Sequence, residues 1–274
     1  MIAIIVTLVV ICLVALITPL AVLLPHHHPK RATVLFPLYI YPDNSSTWAP
    51  LFKQLDDYPT LNFTVVVNPD SGPGDAALPS QTYITQIERL NSYDNVQTVG
   101  YVRTRYATRN ITVVEEEVGV YARWADNSSS LAMDGIFFDE VPSTYSAAAE
   151  TYLNTIDAKV RAADGLNGNM VIHNPGTIPS SEFSTTANVT VVAEISYSKY
   201  LDTKSELAAM PSDRSKYAYL LHSMPSMTVQ KLHSFLDTLD RRAEYLFVTT
   251  LSSNYYESFG PDLALFCDAM PTGS

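Results

Sequence analysis

Met133-Asp134-Gly135-Ile136-Phe137-Phe138-Asp139-Glu140 is the stretch on which the reading of this chain turns. Its apolar residues run on without polar alternation and stop at two adjacent carboxylates. A strand covered by helices on both faces of a parallel sheet has this character, because neither face meets water. Ionised carboxylates are costly inside such a layer, so Asp139 and Glu140 are expected where the strand leaves the core. In a parallel barrel that end of the strand lies at the mouth, where functional groups collect. The structural alternative is a strand that ends in a solvated acidic turn.

Outward from this stretch, apolar strand-like segments alternate with amphipathic ones. Strands are expected at 33–41, 63–68 and 96–103, then in the quoted stretch itself, and at 170–173, 189–195, 216–222 and 245–251. Helices are expected at 48–58, 80–90, 113–126, about 147–163 and 229–241, with a short one over 262–267. The segment before the sixth strand is polar and only weakly helical. Eight apolar strands separated by helices imply parallel pairing with right-handed crossovers. The α/β class follows, and the length fits one TIM-like (β/α)8 barrel over residues 32–274. An open doubly wound sheet is the runner-up. No Gly-x-Gly-x-x-Gly follows the first strand, so a nucleotide-binding version has no support.

The first 24 residues read as a transmembrane helix. Ile2 to Leu24 carries no charge, and about 20 apolar residues cross a bilayer. The span lacks a basic leading region and a small-residue cleavage site, which favours an uncleaved signal anchor over a signal peptide. Residues 25–31 then form a linker, in which His26-His27-His28 is a solvated run rather than a metal site. Lys30 and Arg31 would place the following domain in the cytoplasm by the positive-inside rule. Five acceptor sequons, at Asn44, Asn62, Asn110, Asn127 and Asn188, argue for the outside, and that location is the expectation. Cys12 and Cys267 are the two cysteines, and one lies in the span, so no internal disulfide is expected. The net charge of −11 speaks against nucleic acid as a partner. No cysteine–histidine cluster has metal spacing, no phosphate-binding loop or Gly-x-Ser-x-Gly elbow is present, and neither metal nor cofactor is expected. A monomer is expected.

The barrel reading makes a local demand: polar residues should gather at the C-terminal ends of strands. They do so at Tyr39 and Tyr41, Asn68, Tyr101 and Arg103, Asp139 and Glu140, His173 and Asn174, Glu194, and His222. Glu194 stands alone in Val191-Val192-Ala193-Glu194-Ile195. A carboxylate there must face a polar mouth or be paired, for instance with Arg103 or Lys199. Two separated carboxylate loci suit glycoside hydrolysis, in which one group protonates the leaving oxygen while the other attacks carbon or activates water. Tyr39, Tyr101 and Tyr197 are candidates to stack on sugar faces. His173 and His222 are candidates to bind hydroxyls or an acyl group, unless they are structural.

At these residues the chain resembles the spherulin-4-like glycoside hydrolases. The resemblance rests on Pro37-Leu38-Tyr39, Val66-Val67-Asn68-Pro69, Gly100-Tyr101-Val102, Asp134 to Glu140, His173-Asn174-Pro175-Gly176 and Glu194, over roughly residues 32–251. It implies a (β/α)8 barrel and an endo-acting hydrolase of α-1,4-linked N-acetylgalactosamine in an exopolysaccharide such as galactosaminogalactan, or in a wall glycan. It also implies Asp139 as nucleophile or charge stabiliser, Glu194 as acid/base, and Glu140 in support. Tyr39, Asn68, Tyr101, Arg103, His173, Asn174, Tyr197 and His222 are the expected substrate-binding residues. The alternative is a non-catalytic wall or spore-coat protein that uses the same barrel to bind carbohydrate.

Overall fold

The computed structural model describes residues 32–184 and 186–271, so the expected span at 2–24 and the linker at 25–31 lie outside the described residues. No helix among the described residues is long and apolar enough to cross a membrane. Eight parallel strands close a barrel in chain order: β1 (Thr33–Leu38), β2 (Asn62–Val67), β3 (Val96–Arg103), β4 (Gly135–Asp139), β5 (Met170–Asn174), β6 (Val189–Ser196), β7 (Tyr217–His222) and β8 (Tyr245–Val248). The last strand pairs with the first through Thr33↔Tyr245 and Val34↔Leu246. The doubly wound alternative is thereby excluded.

Helices α1 (Ala49–Asp57), α2 (Gln81–Leu90), α3 (Ile111–Asn127) and α4 (Ala147–Arg161) follow the first four strands, and α5 (Tyr197–Ala208), α6 (Val229–Asp240) and α7 (Leu263–Ala269) follow the last three. The connection from β5 to β6 carries no helix among its described residues, in keeping with its polar sequence. Helix α5 has no counterpart in the sequence reading. Its only buried residues are Tyr200 and Leu207, too sparse an apolar stripe to announce a helix. Its start is nonetheless well made, because the Ser196 hydroxyl accepts the Lys199 amide as an N-cap. Asn110, Ser146 and Thr228 cap α3, α4 and α6 in the same way. Strands β1 and β8 end earlier than expected: the β1–β2 ladder stops at Leu38↔Val67 and the β7–β8 ladder at Leu221↔Val248.

Side chains on each strand alternate between the barrel interior and the helical layer. Gly100 marks the outer face of β3. A Cβ there would lie 2.7 Å from the Tyr121 ring, so the absent side chain is what lets α3 approach. Tyr121, fully buried, donates its hydroxyl between the carbonyls of Val67 and Tyr101 and fastens α3 to both strands. With Gly100 outward, Tyr101 points inward.

Candidate active site

Register carries the inward set across three strands. Arg103 pairs with Asp139, and Asp139 pairs with Asn174, so all three share the interior side at the C-terminal ends of β3, β4 and β5. Residues paired on the row below, Phe138 and His173, share the outer side. His173 is buried there, and its Nε2 lies 2.7 Å from Asp157 of α4. The other Asp157 oxygen accepts the Thr186 hydroxyl at 2.9 Å. The expectation that His173 binds substrate is therefore corrected: it locks α4 to β5. The strand period of two puts His173 and its neighbour Asn174 on opposite faces.

Glu194 reaches the mouth through an irregularity. Thr190 pairs with both His173 and Tyr217, and the Tyr219 ring packs on Tyr200 of α5, which marks the outer face. Simple alternation from Thr190 would send Glu194 outward as well. The register slips between Val191 and Ala193, however, so Ala193 pairs with outward Tyr219 and Glu194 pairs with inward Leu220. One extra residue reverses the facing, the re-aiming that a β-bulge provides.

The two carboxylates meet at one amide. Asn174 Nδ2 donates to Asp139 Oδ1 at 2.8 Å and to Glu194 Oε2 at 2.6 Å. The amide is oriented by its other end, since Asn174 Oδ1 accepts the Gly176 N–H at 3.0 Å, which leaves only the NH2 group to face the acids. Gly176 sits at φ +68°, a left-handed turn suited to glycine, and its carbonyl accepts the Glu194 N–H at 3.0 Å. Because both bonds share one nitrogen, the nearest Asp139 and Glu194 oxygens are less than about 5.4 Å apart. The second Asp139 oxygen accepts the Tyr101 hydroxyl at 2.7 Å.

Burial pushes the Glu194 carboxyl above its ordinary range, and the nearby Asp139 pushes it further; hydrogen bonds from Asn174 and Tyr256 act the other way. Burial and adjacent carboxylates also raise the Tyr39, Tyr101 and Tyr256 phenols, so each is a donor rather than a phenolate. Tyr39 packs edge-on against both Tyr101 and Tyr256, with ring centroids 5.3 and 5.4 Å apart. Among the described residues, no group of three His, Cys, Asp or Glu side chains is placed to hold a metal ion.

Glu140 takes a left-handed backbone, φ +53°, directly after Asp139. Thr104, buried after β3, holds this corner: its hydroxyl lies 3.1 Å from the Asp139 carbonyl and 2.8 Å from that of Glu140, and its N–H bonds the Asp139 carbonyl. Strained backbone of this kind persists where surrounding bonds over-determine it, typically at functional sites. The Glu140 carboxylate lies 3.9 Å from Arg103 Nε. The suggested Glu194–Arg103 pairing is thus replaced by a Glu140–Arg103 contact.

His222 shares the interior side with Glu194, because Ser196↔His222 continues the Glu194↔Leu220 ladder. It stacks on Tyr255 at 4.3 Å with the planes 5° apart, and burial lowers its pKa, favouring neutral imidazole. Asn68 is occupied locally: its side-chain oxygen accepts the Gly72 N–H and its carbonyl the Tyr83 hydroxyl, shaping the loop after β2. Tyr197 opens α5 and packs on Phe235 of α6 at 5.6 Å, so the expectation that it stacks on a sugar face is corrected to a place in the helical layer. The sequence reading missed Thr104, Tyr255 and Tyr256. The aromatic pair follows β8, and the strand-end rule applied to Asn254-Tyr255-Tyr256 would have found it.

Fold and site together define a class: closed (β/α)8 barrels with an acidic, tyrosine-walled mouth. The chain belongs to spherulation-specific family 4, whose model matches residues 33–270. It is 26% identical over 187 residues to spherulin-4 of Physarum polycephalum, an alignment covering 68% of this chain and 52% of that protein. The chain thus matches about half the length of that relative. The crystal structure of Aspergillus clavatus Sph3 in complex with GalNAc superposes with a TM-score of 0.84 at 38% identity, covering 89% of this chain and 99% of the other.

Proposed function

We propose that this protein is an endo-acting glycoside hydrolase that cleaves α-1,4-linked N-acetylgalactosamine within an exopolysaccharide or wall glycan. The observation that carries the reading is the Asp139–Asn174–Glu194 bridge, which joins two carboxylates across a short gap. The 38% identity to a barrel solved with GalNAc supports the sugar class. Glu194, whose carboxyl burial pushes above its ordinary range, is the group to protonate the leaving oxygen. Asp139, with both oxygens fixed by donors, faces the anomeric carbon. Retaining enzymes place their carboxyl groups ~5–5.5 Å apart and inverting ones ~6.5–9.5 Å apart to admit a water. The gap here suits retention: Asp139 attacks the anomeric carbon as Glu194 gives its proton to the departing oxygen. Glu194 then takes a proton from water, which displaces Asp139.

Arg103 and Glu140 border the nucleophile, while Tyr39, Tyr101 and His222 supply walls and hydroxyl partners. Five exposed sequon asparagines support an exported domain, tethered by residues 2–24. The test is product analysis of the purified protein on defined α-1,4-N-acetylgalactosamine oligomers, with NMR of the first-formed anomer. Internal cleavage with an α first product is expected, and Glu194→Gln should lose at least about a hundredfold in rate. Binding without cleavage, with Glu194→Gln equal to wild type, would make the protein a carbohydrate-binding module instead.

A further inference from the structure

Beyond the carboxylates, the mouth face carries a second feature with the build of a sugar site. Tyr41 follows β1 by three residues and is 50% exposed. It is nevertheless pinned. Its ring meets Tyr83 perpendicularly at 5.4 Å, and its hydroxyl donates to Ser80 Oγ at 3.1 Å. Tyr83 is itself immobile: buried, bonded to the Asn68 carbonyl and packed on Trp48. Beside Tyr41 lies a shallow cavity of about 310 Å³, walled by the loop after β2 and lined by Asp70, Asp75, Ser80 and Tyr83. That loop is held in shape by left-handed Ser71 and Gly74 and by the Asn68–Gly72 bond.

A flat aromatic face beside carboxylate and hydroxyl acceptors is the chemistry that recognises a pyranose, with the apolar face of the ring on the tyrosine and its hydroxyls on the acids. The cavity is of the size that holds one such ring. It also continues the mouth: Tyr39, two residues back, packs on Tyr101, whose hydroxyl holds Asp139. Two residues span at most about 7 Å of chain, so the groove lies within a short oligosaccharide's reach of the reacting bond.

We propose that the Tyr41 groove is an outlying saccharide subsite that binds a unit of the glycan remote from the cleaved bond and so gives preference for long chains. This rests on the glycan-cleaving reading for its role in catalysis, but binding tests it independently. The experiment is calorimetric titration of Glu194→Gln protein with α-1,4-N-acetylgalactosamine oligomers of increasing length, with and without Tyr41→Ala, Tyr41→Phe and Asp75→Asn. Circular dichroism checks that each variant is folded.

The expected result is affinity that rises with length, and a Tyr41→Ala penalty of about tenfold that appears only for oligomers long enough to reach the groove. Tyr41→Phe should retain most of that affinity, and Asp75→Asn should lose part of it. In the active background, Tyr41→Ala should raise KM on polymer more than it lowers kcat. Equal affinities of Tyr41→Ala and its parent at every length would overturn the subsite. Length-dependent binding lost in Tyr41→Ala, together with no cleavage by wild type, would uphold the groove and overturn the hydrolase. No binding at any length would overturn both.

Discussion

Replacing Asn174 by Ala removes one amide and its three hydrogen bonds, two of them to the acids, and the consequences can be worked out in sign and size. At present Nδ2 donates to Asp139 at 2.8 Å and to Glu194 at 2.6 Å, and Asn174 itself is 4% exposed. A donor aimed at a carboxylate favours its anion, so the bond holds the Glu194 carboxyl lower than burial alone would. A hydrogen bond to a charged group is worth about 1.5–3 kcal/mol, and one pH unit corresponds to about 1.36 kcal/mol. The Glu194 pKa should therefore rise further in Asn174→Ala. In the proposed reaction, the alkaline limb of the kcat/KM profile reports loss of the Glu194 proton, so this limb should move to higher pH. The same substitution deprives Asp139 of an orienting donor and leaves the two acids facing each other without a bridge. We expect kcat at the optimum to fall by about ten- to a hundredfold. The assay is a full pH profile of oligosaccharide cleavage for both proteins, with thermal melts to show that each is folded over the range. An alkaline limb that stays in place or moves to lower pH, in a folded variant, would refute this account of the bridge.

Three further outcomes follow from the same geometry. Tyr256→Phe removes the other donor to Glu194 and should also raise the alkaline limb, by less than Asn174→Ala, measured in the same profiles. Gly100→Ala puts a methyl 2.7 Å from the Tyr121 ring and should cost about 1–3 kcal/mol of stability in denaturant titrations, with the barrel's far-ultraviolet dichroism retained. Asp157→Ala leaves buried His173 and the Thr186 hydroxyl without their partner and should cost about 3 kcal/mol or more, read as a lowered melting temperature. Because Asp157 lies outside the barrel, the pH limbs of the surviving folded fraction should be unmoved.

The architecture was legible early because parallel strands covered on both sides must be apolar throughout, and eight such runs between amphipathic segments leave few closures. The strand-end rule likewise found Asp139, Asn174, Glu194 and His222 at the mouth. It failed at His173 because a strand end carries two faces and the sequence does not say which residue takes which. It failed at Tyr197 because that residue opens a helix whose weak apolar stripe gave no warning. Thr104 carried no signal at all: its part is to hold the carbonyls of residues thirty-odd positions away, and backbone oxygens leave no mark on sequence.

By itself, then, the sequence determined the barrel, its strand ends and the acidic residues that gather there, since hydrophobic pattern and the cost of buried charge are local matters. Only the tertiary structure decided that Asp139 and Glu194 confront each other. That confrontation depends on the extra residue between Val191 and Ala193, which turns Glu194 from the helical layer into the mouth, and on Gly176, which aims a single amide at both acids. A bulge is a mismatch between two strands, and a bridge is a coincidence of three; neither exists until the strands lie side by side.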